Sequence, residues 1–339
     1  MQKAIEPPVR YTLNERKAHI EATRTRVEDA LGHVVPAKSP EELYGSAAYV
    51  LAGGGKRFRP VLLLLSAESL GISFKEALPV ALSLELFHNF TLVHDDIMDH
   101  ADTRRGRATV HLKWNENTAI LSGDYMMGLA YRQLADLPPD LLGPILKRYH
   151  TMLENLCEGQ MRDMAFEEEE HVSIEAYLEM IDGKTGALVQ ACLEMAGVLA
   201  RCSLEELHQL HLAGKALGRA FQIQDDLLDL TAKDARWGKR IGGDLIEGKK
   251  AWLLLQTLEV AQGGDRAWFD KIVSNNGLEP DRIDEARNRM ERLGVLDSTR
   301  AKVFAYSDEA TTLLQSVLPD NLARSCVLLF IEQLKARLH

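Results

Sequence analysis

The chain has 339 residues, 46% of them hydrophobic, and a net charge of −10. Its basic residues are mixed among acidic ones, which excludes a general nucleic-acid surface, and its four cysteines, Cys157, Cys192, Cys202 and Cys326, show neither CxxC pairing nor zinc-like spacing. Met1 through Arg10 lacks a secretory apolar core and stretches such as Val61 to Leu65 are too short to cross a bilayer, so a cytoplasmic protein without stable membrane insertion is expected.

No Ser/Gly linker, composition break or solenoid repeat interrupts the chain, and residues 1–339 read as a single domain. Helical periodicity predicts helices over 13–32, 40–52, 57–70, 74–100, 117–136, 140–168, 173–200, 204–231 and 249–262, with several more to the end. Ser39-Pro40-Glu41-Glu42 and Ser203-Leu204-Glu205-Glu206 read as capping boxes that start two of them. No period-two strand pattern is evident, so the fold class is all-α, a bundle with long central helices.

Along these helices the first cluster of interest is Gly53-Gly54-Gly55-Lys56-Arg57-Phe58-Arg59-Pro60, three glycines and three cations in a turn that enters an apolar helix. Glycine admits backbone amides to an anion and the cations add charge-assisted contacts, a combination suited to phosphate. Next comes Asp95-Asp96-Ile97-Met98-Asp99, followed by the cationic Arg104-Arg105-Gly106-Arg107. Lys184-Thr185-Gly186 places a glycine inside a helical stretch, where local distortion would expose a backbone carbonyl and the Thr185 hydroxyl. Asp225-Asp226-Leu227-Leu228-Asp229 then repeats the acidic pattern, and Lys239 and Lys249 flank Gly242-Gly243-Asp244 in what reads as a loop over a bound anion.

The repeated acidic pattern carries most of the chemistry. At about 100° per residue, the outer aspartates of each copy share a helix face while the middle one points aside. Both copies follow apolar runs, so they are expected to be largely buried, where carboxylates need compensation. Two such faces opposed across a cleft would call for divalent cations. Mg²⁺, which takes one or two carboxylates with water and phosphate oxygens, then suggests a diphosphate substrate.

Taken together, GGGKRFRP, ELFHNFTLVHDDIMDHADTRRG, GDYM at Gly123, GQMRD at Gly159, KTGAL, FQIQDDLLDL and GKRIGGDLIEGKK resemble, in order, the motifs of the trans-isoprenyl diphosphate synthases over roughly residues 40–260. The resemblance implies the isoprenoid synthase fold, long antiparallel helices around a central active-site cavity, usually as a homodimer. It implies that Asp95, Asp99 and Asp225 ligate three Mg²⁺, with Mn²⁺ as a substitute, on an allylic diphosphate, while Asp96, Asp229 and Asp244 support from the outer shell. Arg104, Lys184 and Lys239 would hold that diphosphate, with Lys249 nearby. Gly55, Lys56, Arg59, His88 and Arg105 would bind isopentenyl diphosphate, and Gln160, Asp163, Thr185 and Gln222 would face the reacting carbons and the metal shell.

The family sets product length by side-chain bulk below the first aspartate pattern. Phe90, Thr91 and Phe87 lie about 7, 6 and 12 Å below Asp95 along the helix. A large residue at Phe90 with a small one at Thr91 resembles the geranylgeranyl-forming type. Phe87, about 80° around the helix from Asp95 against about 140° for Phe90, is the alternative floor and would stop the chain earlier, at farnesyl. Three other readings remain open at this point: a terpene cyclase of the same fold, a di-iron bundle built on Glu85/His88 and Glu205/His208, and a non-catalytic partner subunit of a heteromeric synthase.

Overall fold

The computed structural model describes residues 11–232 and 241–337. Its contacts divide the chain into two compact units: 1–147 with 192–207 and 317–330, and 148–191 with 208–316 and 331–339.

The first unit begins with α1 (Leu13–Gly32), α2 (Glu41–Leu51), α3 (Phe58–Ser69) and α4 (Phe74–Met98). α4 starts at a capping box in which Ser73 and Glu76 satisfy each other's backbone amides. It ends at Asp99, where His100 turns to a positive φ of 49°. Eight consecutive residues, Val80 to Phe87, are buried, so α4 is enclosed on all sides; α3 is similarly buried from Pro60 to Ala67. Each large apolar side chain hidden this way contributes about 1.5–3 kcal/mol. A hairpin of β1 (Thr103–Arg104) and β2 (Arg107–Ala108), α5 (Val110–Lys113) and α6 (Glu116–Leu134) follow, and α6 packs along α4.

α7 (Pro139–Glu168) leads into the second unit, which holds α8 (Ile174–Ile181), a π-helical turn (Asp182–Gly186) and the start of α9 (Ala187–Leu199). Most of α10 (Leu204–Thr231), then α11 (Gly243–Ile246), α12 (Trp252–Val260), α13 (Gly263–Ser274), α14 (Ile283–Arg292) and nearly all of α15 (Val295–Val317) belong to the same unit. α16 (Leu322–Ala336) contributes its last residues there. Ile223, Leu227, Leu254, Phe269, Met290 and Val303 are among its fully enclosed side chains.

The all-α expectation holds, and most predicted helix ends fall within two residues of those observed. Three local expectations need correction. Ser39 forms no cap, because Pro40 occupies the N-cap position of α2 without a side-chain hydrogen bond. The predicted helix over 173–200 is interrupted by the π turn. The Arg-rich stretch after α4 is a two-stranded hairpin whose turn places Arg105 and Gly106 at φ 54° and 72°, the left-handed pair that a tight two-residue hairpin needs.

Candidate active site

In the first unit, the glycine-rich turn and the hairpin meet. Arg57, left-handed at φ 48°, turns inward: its Nη1 donates to Glu85 Oε1 (2.7 Å) and its Nη2 to the Leu51 carbonyl (2.6 Å). Of the three cations in the turn, this one is therefore a buried structural ion pair and not part of an anion cradle. Glu85 also accepts from Asn89 Nδ2 (3.1 Å), and this occupied carboxylate weighs against the di-iron reading. Arg59 Nη1 donates to His88 Nε2 (3.0 Å). Burial and the guanidiniums of Arg59, Arg105, Arg104 and Arg57 push the His88 imidazole well below its ordinary pKa, so the ring is neutral and the positive field remains available to an anion. Lys56 is exposed.

The hairpin fixes the remaining arginines. Arg105 Nη1 donates to the Gly54 carbonyl, and its guanidinium lies over Gly55, where a Cβ would stand 3.0 Å from Cζ. Gly55 is thus required twice, for that contact and for its φ of 140°. Arg104 Nε donates to Asp96 Oδ1 (2.7 Å). Asp96 is buried, which raises its pKa, and the Arg104 charge opposes that rise. Asp95 is half-buried and Asp99 exposed, more open than the apolar run before them suggests, because α4 ends at Asp99. One turn or more below them, Phe87 is fully buried and Phe90 half-buried, with their rings edge-to-face at 5.2 Å. Thr91 donates its hydroxyl to the His88 carbonyl (2.9 Å).

In the second unit a cavity of about 500 Å³ gathers Asp163, Lys184, Thr185, Gln222, Asp244 and Lys249, six of the residues singled out in the sequence. Phe166, Met180 and Ile181 give it apolar wall. Lys184 and Thr185 sit on the π turn, which realises the distortion expected around Gly186. Arg219 holds that turn at its first residue, Nε to Asp182 Oδ1 (2.7 Å) and Nη2 to Oδ2 (2.6 Å). From the other side α7 approaches so closely that a Cβ on Gly159 would lie 2.3 Å from the Lys184 amide nitrogen. Lys184 Nζ pairs with Asp163 Oδ2, and Lys249 Nζ with Glu247 Oε2 (2.8 Å).

The centre of this cavity's polar network is a residue that the spacing argument set aside. Asp226 is buried; its Oδ2 accepts from Tyr177 Oη and from the Trp252 backbone N–H (3.0 Å), and its Oδ1 accepts from Gln222 Nε2 (3.0 Å). Gln222 Oε1 in turn accepts from Thr185 Oγ1 (2.8 Å). Burial and the nearby Asp244 charge push the Asp226 carboxyl up to about 7, while the same burial and the Asp226 charge hold the Tyr177 phenol well above its usual value. The signal available in the sequence was Gln222 one turn before Asp226; nothing marked Tyr177. Asp225 is half-buried and, like Asp229, does not line the cavity. Asp229 instead holds the start of α11, its Oδ2 accepting from the Asp244 N–H (3.2 Å) and its carbonyl from Gly242 N–H (2.8 Å). Gln160, half-buried on α7, is also outside the lining, and Lys239 lies outside the described residues.

The outer carboxylates fit a hard divalent cation. Asp95, Asp99 and Asp225 all retain solvent access, whereas the middle aspartates are buried and taken up by protein donors. Among the described residues no three His, Cys, Asp or Glu side chains form a ready-made cage, and Mg²⁺ needs none, since water and phosphate oxygens complete its shell.

The polyprenyl synthetase family matches residues 40–290. A geranylgeranyl diphosphate synthase of Methanosarcina mazei is 35% identical over 300 residues, covering 88% of each chain. A geranylfarnesyl diphosphate synthase of Natronomonas pharaonis is 36% identical over 328 residues, covering 90% of this chain and 94% of its own. The crystal structure of a geranylgeranyl pyrophosphate synthetase from Pyrococcus horikoshii superposes with a TM-score of 0.86 at 35% identity, covering 95% of this chain and 98% of the other.

Proposed function

This chain belongs to the polyprenyl synthetase family and is a prenyltransferase; from that premise we propose that it condenses isopentenyl diphosphate with allylic diphosphates, releasing diphosphate and giving geranylgeranyl diphosphate. The observation that carries this reading is the mixed lining of the 500 Å³ cavity, Lys184, Lys249, Asp163 and Asp244 beside Phe166, Met180 and Ile181. A prenyl diphosphate needs such a lining, charged at one end of the ligand and apolar along the rest.

Asp95, Asp99 and Asp225 would hold Mg²⁺, three per active site with Mn²⁺ as substitute, and Asp96, Asp229 and Asp244 would support them indirectly. Bound Mg²⁺ supplies Lewis-acid withdrawal of charge from the departing diphosphate. Lys184, Arg104, Lys239 and Lys249 bind that leaving group and stabilise its growing negative charge. Thr185 Oγ1 and the Lys184 carbonyl face the allylic carbons and stabilise positive charge there, Gln222 acting with them through the amide oxygen that accepts from Thr185 (2.8 Å), with Gln160 and Asp163 close to the same carbons. Arg59, Arg105, Lys56 and the neutral His88 retain isopentenyl diphosphate, its alkene free to attack, and Gly55 leaves room for the Arg105 guanidinium. Among the described residues no side chain stands out as a dedicated base, so the released diphosphate accepts the final proton. The edge-to-face Phe87 and Phe90 pair supports a short product, with farnesyl diphosphate if Phe87 forms the floor.

We further read residues 1–339 as one catalytic domain acting as a homodimer in the cytoplasm; no helix among the described residues is long and apolar enough to cross a membrane. The purified chain, incubated with Mg²⁺, isopentenyl diphosphate and each allylic diphosphate, should give geranylgeranyl diphosphate on product chromatography. Cyclic hydrocarbon from a prenyl diphosphate alone, with no elongation, would instead mark a terpene cyclase.

A further inference from the structure

Thr185 lies at the end of a hydrogen-bond chain whose direction is fixed at its other end. The Trp252 backbone N–H can only donate, and it meets Asp226 Oδ2 (3.0 Å), the oxygen that also accepts from Tyr177 Oη. When ionised, the Asp226 carboxylate only accepts. Its Oδ1 is met by the NH₂ end of Gln222 (3.0 Å), and so the carbonyl end of that amide faces Thr185, whose hydroxyl donates to it (2.8 Å). A hydroxyl whose single proton is committed in this way presents only lone pairs elsewhere.

We propose that Asp226 is a positioning residue that sets the polarity of Thr185, so that this hydroxyl shows the cavity an acceptor matched to developing allylic positive charge. The inference rests on the prenyltransferase reading above and goes beyond it in assigning the buried middle aspartate a role other than metal binding. Asp226 is suited to the task because its partners are neutral donors from three elements, α8, α10 and the start of α12. None of them cancels its charge, and each points its hydrogen at the carboxylate.

An isosteric change at Asp226 reverses the chain. In Asp226→Asn the Trp252 N–H still requires an acceptor, so the new amide turns its oxygen that way and its NH₂ toward Gln222. Gln222 must then rotate, presenting its own NH₂ to Thr185. The Thr185 hydroxyl becomes the acceptor and its proton points into the cavity, opposing positive charge where it had stabilised it.

Steady-state kinetics of the parent, Asp226→Asn, Thr185→Val and the double variant test this directly. Asp226→Asn should lower kcat by about tenfold to a hundredfold, with KM for both diphosphates and the Mg²⁺ requirement unchanged. In the Thr185→Val background the same substitution should have little further effect, because the group it acts through is gone. Equal losses in both backgrounds, or a rise in KM or in the Mg²⁺ requirement in place of the fall in kcat, would overturn the proposal.

A binding measurement separates the relay from the activity. A geranyl dimethylammonium ion and its uncharged carbon isostere are titrated in the presence of inorganic diphosphate. Asp226→Asn should weaken binding of the ammonium ion about tenfold and leave the isostere unchanged; equal effects on the two ligands, or none, refute the relay. Gln222→Met, which removes the link and keeps the carboxylate, should reproduce the selective loss and serves if Asp226→Asn does not fold. A parent protein that fails to elongate prenyl chains yet shows this selective loss would contradict the function and uphold the relay. Elongation without selective loss would do the reverse.

Discussion

The middle aspartates of the two acidic patterns hold the same place in the aspartate spacing and are put to opposite use. Asp96 is buried against a guanidinium, Arg104 Nε at 2.7 Å, so its charge is cancelled locally. Asp226 is buried against a phenol, an amide and a backbone N–H, so its charge is solvated but not cancelled, and its carboxyl rises to about 7. Of the outer carboxylates, Asp95, Asp99 and Asp225 keep solvent access, while Asp229 is buried and accepts from the Asp244 N–H. The environment decides the inner one: in the first unit it anchors a cationic hairpin, in the second it organises neutral polar groups around a cavity.

The contrast can be broken most forcefully at the outer positions. Asp95→Ala should reduce turnover on the order of a thousandfold in saturating Mg²⁺; near-normal activity would remove the metal role from the first pattern. Arg57→Ala should cost about 3–5 kcal/mol of stability by leaving Glu85 buried without its partner, read from denaturant midpoints. A small loss would mean that this arginine is not the structural cation of the turn.

Finer changes sharpen the comparison. Asp96→Asn should cost only about 1 kcal/mol, because the Arg104 side chain is 37% exposed and can rehydrate. A larger loss, confined to activity, would give Asp96 a role closer to that of Asp226. The smallest effect is on pH. His88 stays neutral in the folded chain, whereas in the unfolded chain it protonates near its ordinary value of 6.5. The unfolded state then binds more protons as pH falls, so this residue should lower stability progressively below about pH 6.5 and contribute nothing above it. Denaturation midpoints of the parent and His88→Gln should run parallel above that pH and converge or cross below it.

Much of this was legible in the sequence because it depends on local pattern. Apolar spacing and the cap at Ser203 fix helix ends, and a glycine beside Lys184 and Thr185 announces the π turn. Outer aspartates one turn apart follow from helical geometry alone. What depends on distant neighbours was not legible. The inward turn of Arg57 requires Glu85, 28 residues on, and the importance of Tyr177 appears only when α8 brings it to Asp226, 49 residues away. Ser39 illustrates the opposite failure, a local capping signature that the chain does not use.

On the proposed function, Asp95, Asp99 and Asp225 hold metal on an allylic diphosphate and the inner aspartates do not. A crystal structure of the chain with Mg²⁺ and an allylic thiodiphosphate, which resists ionisation, tests it most directly. Metal density is expected in contact with Asp95, Asp99 and Asp225, with Asp226 still hydrogen-bonded to Gln222 and Tyr177. Metal bound to Asp226, or a diphosphate held by lysine and arginine with no metal at the outer aspartates, would contradict it.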